Sequence, residues 1–468
     1  MVDSFFVVDR EGLKALQAGK PKIFLIRELI SNSFDEPIQK LTVQMDYEAP
    51  YAYIKVIDDS PKGFKDLKDA YTLFKHTDKR SNPNQRGRYN LGEKQVISLC
   101  SEAKITTTTG AVIFNRKGRT ISKKHMTVSG TIVDLKVRLS KAEFNELFGI
   151  KEYLTPKNVS FCVNNEEVHY KEPFKIFETR LTTELQEGES FKRTIRKTDV
   201  HVHKEDETKL YEMGIPVCEI ECEYSIDVQQ KVPLSTDRDS VSQAFLKDLY
   251  AEVLNNTYED ISENRISETW VRTGMSDERV SDDAVQNVVK KRFGAKSCIG
   301  TPGDNYGRDK ALTGGYNVVH GREMSKDEWA NVKRSGAIKA SSEIFKPSFT
   351  NDGKYVIPDG TQRKVKEFAI KLAKELLGID IQVEFWNFPH VDCRADYGGR
   401  LMRFYVNKLP KDFFDNPLSE SVISIIIHEI AHEKGYHTDN SYILCLSDLG
   451  AATTKLALNK PSFFKPFK

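Results

Sequence analysis

The sequence is poor in cysteine and tryptophan, has no long hydrophobic run and carries almost no net charge. Its seven cysteines are an odd number scattered over 468 residues, which excludes the disulfide framework of small secreted domains. The longest aliphatic run, Val422–Ile427, is interrupted by Ser424 and falls far short of the ~20 apolar residues that cross a bilayer. The 70 Lys and Arg against 68 Asp and Glu leave no overall attraction to nucleic acid or to an acidic membrane surface.

The first residues, MVDSFFVVDREG, contain neither a basic segment nor a small-residue cleavage site, so we expect no signal peptide. Together with the short hydrophobic runs, this favours a cytoplasmic protein without a membrane partner. The length corresponds to about three domains at roughly 100–200 residues each. Alternating helical and strand patterns predict an α+β multidomain protein with four segments: 1–150, a strand-rich 151–255, a helical and glycine-rich connector 256–345, and 346–468.

Some elements are predicted individually. A helix is expected at Ile23–Glu36, and a strand at Val217–Ile226. Asp359 or Thr361 opens a helix that a glycine at 378 stops. The five glycines of Gly300–Gly315 predict a hinge or mobile loop in the connector.

The first of these helices, in the segment IRELISNSFDE, carries three polar side chains on one face. Glu28, Asn32 and Asp35 are spaced i, i+4 and i+7, so a helix aligns them while the residues between them form an apolar stripe. Mg²⁺ binds proteins through one or two oxygen ligands beside phosphates, which this row of side chains can supply. The alternative is an ordinary solvated helix face.

Two glycine-containing segments follow the helix and favour a ligand site over a solvated helix face. IDDSPKGF is an acidic turn that ends at Gly63. RGRYNLGEK places Gly87, Asn90 and Gly92 in a loop that enters a helical run, with Lys94 as a further candidate for a phosphate contact. Glycine-rich loops that enter helices present backbone N–H groups to phosphates, so the ordered combination predicts a nucleotide site.

These motifs resemble the Bergerat-fold ATPases, the group that contains Hsp90, DNA gyrase B, MutL and histidine kinases. The E-x3-N-x2-D helix matches at residues 28–35, the acidic turn has Pro61 in place of its first glycine, the lid has Asn90 in place of a glycine, and Gly130-Thr131 matches the fourth motif. The resemblance implies ATP and Mg²⁺ as cofactors, an α/β sandwich ATPase domain and a homodimer that forms in response to nucleotide. The implied roles are water activation by Glu28, magnesium binding by Asn32, and adenine recognition by Asp58 or Asp59. Thr131 would support the adenine-binding carboxylate, and Asp35 would make a secondary polar contact.

The second domain contains VPLSTDRDSV, in which Arg238 lies between two aspartates. A guanidinium is permanently charged and binds a terminal phosphate through two hydrogen bonds, a contact that hydrolysis removes. The segment resembles the motif of the Hsp90 middle domain, with Pro233, Leu234 and Arg238 at the same spacing. The resemblance implies an α/β transducer domain in which Arg238 senses the γ-phosphate; the alternative is a surface ion pair.

Near the end of the chain, Ser421–Tyr436 contains HEIAH. His428 and His432 lie one helical turn apart, so their imidazoles face one metal ion, and Glu429 lies beside the open coordination position. Zinc acidifies a water that a neighbouring carboxylate deprotonates, so Glu429 is the candidate general base.

The third metal ligand is sought downstream. His437 is the leading candidate, and Asp439 and Asp448 are the acidic alternatives. The spacing resembles the short-spaced SprT-like and WLM-type zinc peptidases, which implies a zincin-like α+β domain. Gly399–Leu409 alternates like an exposed edge strand, which would bind an extended peptide by strand addition.

The sequence therefore predicts an ATP-regulated zinc metalloprotease with a protein or peptide substrate, in which an Hsp90-like ATPase module controls a HExxH peptidase. The alternative is an ATP-driven clamp or chaperone-like protein whose zinc site is structural and closed by a fourth ligand, Asp439 or Asp448. A DNA-handling ATPase is a third interpretation, and the near-zero net charge argues against nucleic acid as a partner.

Overall fold

The chain forms two compact units. The computed structural model describes residues 9–17, 19–64, 66–188, 190–235, 240–300, 305–345, 353–389, 391, 393–435, 437 and 439–468. The first unit comprises Met1–Val288 with Ser325–Ser335, and the second comprises Val289–Met324 with Gly336–Lys468. Both contain helices and separate sheets, so the predicted mixed α/β multidomain class is confirmed. The finer divisions at residues 150, 255 and 345 stay predictions.

The first part of the first unit is an eight-stranded sheet with helices. Strand neighbours follow the order β5-β4-β3-β6-β2-β1-β7-β8, with β1 and β7 parallel. Alternate residues of β1 are buried, and the apolar face of α2 belongs to the same core, as the sequence periodicity requires. The elements are α1 (Arg10–Ala15), α2 (Phe24–Phe34), β1 (Lys40–Glu48), β2 (Tyr51–Asp58), α3 (Gly92–Leu99), β3 (Glu102–Thr107), β4 (Gly110–Asn115), β5 (Gly118–Ser122), β6 (Ile132–Arg138), α4 (Lys141–Glu146), β7 (Ser160–Val163) and β8 (Glu166–Val168).

A five-stranded sheet and helices follow. The strand order is β12-β11-β13-β10-β9. The single strand predicted at Val217–Ile226 is wrong, because the chain turns at residues 220–224 and its two halves, β12 and β13, pair with opposite sides of β11. The elements are β9 (Lys175–Glu187), β10 (Ser190–His203), β11 (Lys209–Glu212), β12 (Ile215–Glu219), β13 (Ser225–Val228), α5 (Gln243–Thr257), α6 (Thr269–Met275) and α7 (Asp282–Phe293).

The next stretch contains a small parallel sheet of the second unit, in the order β15-β14-β16. The described part of the predicted hinge Gly300–Gly315 is largely a helix, α8, so the prediction of a loop is wrong there. Helix α9 belongs to the first unit, although the strands on either side of it belong to the second. The elements are β14 (Ser297–Ile299), α8 (Asn305–Thr313), β15 (Asn317–Val319), α9 (Lys326–Ser335), β16 (Lys339–Ala340) and α10 (Ser341–Ile344).

The last part of the second unit packs helices against a four-stranded sheet in the order β17-β18-β20-β19. Asp359 caps α11, and Gly378 ends it at a φ of 69°, as predicted. The edge strand predicted at Gly399–Leu409 is wrong, because β20 lies between β18 and β19, and β19 is the edge. The elements are β17 (Lys354–Tyr355), α11 (Gly360–Leu377), β18 (Gln382–Asn387), β19 (Ala395–Gly398), β20 (Leu401–Tyr405), α12 (Glu420–Ala431) and α13 (Asn440–Asn459).

Among the described residues, every helix is too short or too polar to span a bilayer.

Candidate functional sites

The first unit contains a cavity of about 580 Å³ between α2, the turn after β2, the loop that precedes α3, and β6. A volume of a few hundred Å³ is usual for cavities that hold small-molecule ligands. Nine of the predicted cofactor-site residues line it: Glu28, Asn32, Asp58, Gly63, Gly87, Asn90, Gly92, Lys94 and Thr131. The structure therefore brings together residues that the sequence spreads over about a hundred positions.

Asp58 and Asp59, the two rivals for adenine recognition, point to different partners. Asp58 lines the cavity, and its Oδ1 accepts hydrogen bonds from the backbone N–H of Ser60 at 3.0 Å and of Thr131 at 3.2 Å. Asp59 Oδ1 instead accepts from the backbone N–H groups of residues 39 and 40, at 2.9 and 3.0 Å, and so fixes the start of β1. Of the two carboxylates, Asp58 is the one available to a ligand in the cavity.

Glu28 and Gly92 are in close contact at the start of α3. Glu28 is only 5% exposed, and a Cβ atom at position 92 would collide with its carboxylate. Glycine at position 92 therefore leaves the Glu28 carboxylate in its place beside the loop, and a larger residue would push it aside. Asn90 has a φ of 53°, a left-handed conformation that asparagine tolerates better than most residues, so it can stand where the related motif has glycine.

Asp35 does not line the cavity but holds the loop that does. Its carboxylate accepts hydrogen bonds from the backbone N–H of Arg86 at 2.8 Å and of Gly87 at 3.0 Å, and from Arg86 Nη1 at 2.8 Å. The position therefore differs from the polar ligand contact that the resemblance implied. It instead ties α2 to the glycine loop.

Lys94 and its neighbour Glu93 are both buried on the cavity wall. Lys94 Nζ donates to Asn90 Oδ1 at 3.0 Å and lies 3.4 Å from a carboxylate oxygen of Glu93. Burial raises the pKa of Glu93, which Lys94 partly offsets. Sequence reasoning did not select Glu93, because its position in the helical pattern is that of an ordinary first-turn acid.

The glycine loop is also bound to the five-stranded sheet within the first unit. Arg88 pairs with Glu212, both buried, and Arg88 Nη2 donates to the carbonyl of Val232 at 2.7 Å. The buried Lys231 donates to the carbonyls of Lys79 and, at 3.2 Å, residue 80. These contacts join the predicted transducer segment to the cavity loop. Arg238, predicted to sense the γ-phosphate, lies outside the described residues.

The second unit contains a cluster of three histidines. Ser419 caps the start of α12, where its hydroxyl oxygen accepts a hydrogen bond from the backbone N–H of Val422 at 3.3 Å. The helix carries His428 and ends at Ala431, and His432 is its C-cap residue. His437 follows in the next loop. One ring nitrogen from each histidine lies within 4.8 Å of the others, and Nε2 of His437 is 2.9 Å from Nε2 of His428.

The other ring nitrogen of each histidine faces an outer partner. Nδ1 of His428 is 2.9 Å from the hydroxyl of Tyr442, and Nδ1 of His432 is 3.1 Å from the carbonyl oxygen of Gly435. Nδ1 of His437 is 3.6 Å from Oδ2 of Asp309, on α8. Outer contacts of this kind fix the ring orientation of metal-binding histidines. Three imidazole donors that converge in this way suit zinc, a metal that takes nitrogen ligands.

The group that could hold a metal within the described residues consists of these three histidines alone. Asp439, an acidic alternative, pairs with Arg308 at 3.3 Å, and Asp448 is exposed on α13. Neither therefore completes a four-ligand site in this arrangement. Tyr442 and Asp309 were not singled out from the sequence, because both reach the histidines from other elements.

The candidate general base Glu429 is only 7% exposed. Burial, with smaller contributions from Asp396 and Asp309, raises its pKa to about 8. Burial also lowers the pKa of His428 to about 4, with contributions from the two neighbouring histidines, and so favours the neutral imidazole that binds metals.

No protein-family model matches this chain, and no curated protein matches it. The functional assignment therefore depends on the residues and on the geometry of the two sites.

Proposed function

We propose that this chain is an ATP-regulated zinc metallopeptidase, in which an Hsp90-like ATPase module of the Bergerat fold controls a zincin-like peptidase. The observation that carries the proposal is the convergence of His428, His432 and His437 next to the buried Glu429. The cavity in the first unit supports the ATPase part, because nine of the residues predicted to bind the nucleotide line its walls.

In the peptidase, His428, His432 and His437 would hold the zinc through their inward-facing nitrogens. Bound zinc supplies Lewis acidity, which polarises a peptide carbonyl and makes a water more acidic. Glu429 would accept the proton of the attacking water and then donate it to the leaving amine.

The substrate in this proposal is an extended segment of a protein or peptide. The edge strand β19 contacts α12, and the Tyr397 hydroxyl on β19 donates to Oε2 of Glu433 at 2.7 Å. An extended peptide could add to β19 as a further strand and so pass alongside the histidine helix. This assigns the substrate-binding edge to β19 instead of to β20.

In the ATPase module, Asp58 would accept a hydrogen bond from the adenine amine, Asn32 would bind Mg²⁺, and Glu28 would activate water. The backbone N–H groups of the loop at residues 87–92, with Lys94, would contact the phosphates. Because Arg88 connects this loop to Glu212 of the five-stranded sheet, a rearrangement of the loop would be transmitted to that sheet. Phosphate sensing by Arg238 and nucleotide-dependent dimerisation remain predictions.

The proposal is tested with the full-length protein, its zinc content and the cleavage of casein. We expect Glu429→Gln to retain zinc and to lose cleavage by about 10²–10⁴-fold, as for the removal of a general base. Glu420→Gln, an exposed residue on the same helix, is the matched control and should cleave normally. We expect Glu28→Ala, which is designed to bind ATP without hydrolysing it, to change the ATP dependence of cleavage.

Different results would separate the alternatives. Zinc in the purified protein with cleavage unaffected by Glu429→Gln, or with no cleavage at all, would favour a chaperone-like clamp with a structural zinc site. Equal cleavage with and without ATP in both the wild type and Glu28→Ala would contradict regulation by the ATPase module.

A further inference from the structure

The three histidines differ in where their outer partners come from. His428 and His432 are held by Tyr442 and by the carbonyl of Gly435, which lie within fifteen residues of them in the chain. The partner of His437 is Asp309, from a helix more than a hundred residues earlier. His437 also lies in a loop and is more exposed than the other two. Its position is therefore the least determined by its own segment.

Helix α8 is fixed on both sides, so it can hold Asp309 in a defined place. Arg308, the preceding residue, is only 8% exposed and donates to Oδ1 of Asp439 at 3.3 Å, two residues beyond His437. On the other side, Ala311 is fully buried in a small core with Cys298 and Val318 of the three-stranded sheet. Adjacent residues of α8 thus contact both ends of the segment 437–439.

We propose that Asp309 is a positioning residue of the metal site, which orients the His437 imidazole by accepting a hydrogen bond from Nδ1–H. The two atoms are 3.6 Å apart, which is an ion-pair contact and longer than a hydrogen bond, and both side chains are partly exposed. When Nδ1 carries the proton and donates it to Asp309, Nε2 is the unprotonated nitrogen that can bind a metal next to His428. This proposal rests on the proposed metal site and adds to it a residue that the zinc-peptidase motif does not contain.

The consequence is a metal affinity that depends on a separate part of the second unit. The segment Val289–Met324, which carries α8, continues at both of its ends into residues of the first unit. A displacement of α8 would withdraw Asp309 from His437 without changing any of the three ligands. The site would then bind metal more weakly although the HExxH helix is intact.

The test measures zinc affinity of the full-length protein by competition with a chromophoric chelator, and the visible spectrum after cobalt is added to the zinc-free protein. We expect Asp309→Ala to weaken zinc binding by about 10–100-fold, the usual effect of removing an outer-sphere partner of a metal-binding histidine. Asp309→Asn keeps the shape and an acceptor oxygen but no charge, so we expect a smaller, several-fold loss. Asp415→Ala removes an exposed carboxylate from elsewhere in the second unit and should bind zinc like the wild type.

A double-mutant cycle separates positioning from a general structural effect. If Asp309 acts through His437, Asp309→Ala has no further effect on zinc affinity in a His437→Cys background, where a thiolate that needs no outer partner takes the place of the imidazole. An equal loss in both backgrounds would overturn the proposal, because Asp309 would then act as an independent ligand or through the fold. If Asp309→Ala does not fold, Asp309→Asn decides: wild-type affinity and an unchanged cobalt spectrum would overturn it.

The outcome also distinguishes this inference from the proposed function. Wild-type protein that binds zinc tightly, with Asp309→Ala equally tight, would refute the role of Asp309 and leave the metal site standing. Wild-type protein that binds neither zinc nor cobalt would refute both.

Discussion

The two candidate sites are built in opposite ways. The histidine cluster consists of side chains from one helix and the loop after it, between positions 428 and 437. The cavity of the first unit gathers residues between positions 28 and 133, and its loop is held by contacts to Asp35 and to Glu212. The metal-binding atoms of the first site are brought together by local spacing, whereas the lining of the second site is brought together by the packing of the whole unit. Substitutions should therefore act differently in the two places.

The largest effect is expected where the ligand atoms themselves are removed. His432→Ala should abolish zinc retention, because two imidazoles rarely hold zinc against dilution and the helix offers no replacement donor. Zinc content after gel filtration measures this. His203→Ala is the control, because His203 is more deeply buried than His432 but belongs to a strand of the first unit and to no group of metal-binding side chains in the described structure. Equal zinc loss in both variants would mean that the effect is unfolding.

A second, slightly smaller effect is expected in the cavity loop, far from any ligand atom. Glu212→Ala leaves the guanidinium of Arg88 buried without its carboxylate, which typically costs about 3–5 kcal/mol. The free energy of unfolding of the first unit, followed by urea, should fall by this amount. The control is Glu178→Ala, which breaks an exposed pair with Lys197 and should cost less than about 1 kcal/mol. Similar losses in both would show that the loop is not held by its buried pair.

The sequence predicted the features that local geometry determines, both in the fold and in the histidine cluster. The helix from Asp359 to Gly378 was predicted correctly, because a capping carboxylate and a left-handed glycine are local signals. The helical spacing likewise placed His428 and His432 correctly next to each other. In contrast, the pairing partners of β20 and of residues 217–226 depend on strand order, which hydrophobic alternation does not encode.

The same limit applies to individual site residues. Asp35 sits at the expected helical position, yet its carboxylate binds the loop backbone, and only the tertiary arrangement shows this. Asp58 and Asp59 are adjacent in sequence and were left as alternatives, since a strand end alone does not tell which one turns inward. Asp309 carries no signal in the sequence, because its relation to His437 exists only in the folded unit.

The third prediction uses the two adjacent aspartates. Asp58→Ala should weaken ATP binding by about 10–100-fold, which corresponds to the 1.5–3 kcal/mol of a hydrogen bond to a charged group. Isothermal titration in the presence of Mg²⁺ measures the affinity. Asp59→Ala should bind ATP within about threefold of wild type, because its carboxylate serves the start of β1. The opposite ranking would reassign adenine recognition to Asp59 and contradict the role given to the cavity wall.

The smallest effect is expected from a single methyl group at the junction of helix and loop. Gly92→Ala places a Cβ atom against the Glu28 carboxylate, so this buried side chain must move aside, at a cost of about 1 kcal/mol in stability. ATP hydrolysis should fall with it, since the displaced carboxylate is the proposed base. Gly19→Ala, where a methyl group meets no atom within 4 Å, is the control and should change neither quantity. A wild-type rate of ATP hydrolysis in Gly92→Ala would show that activity does not depend on the position of the Glu28 carboxylate beside the loop. The cavity would then tolerate a substitution in its loop, whereas the histidine cluster does not tolerate the loss of a ligand. The dependence of the cavity on distant contacts would then be supported only by the buried pair of Arg88 and Glu212.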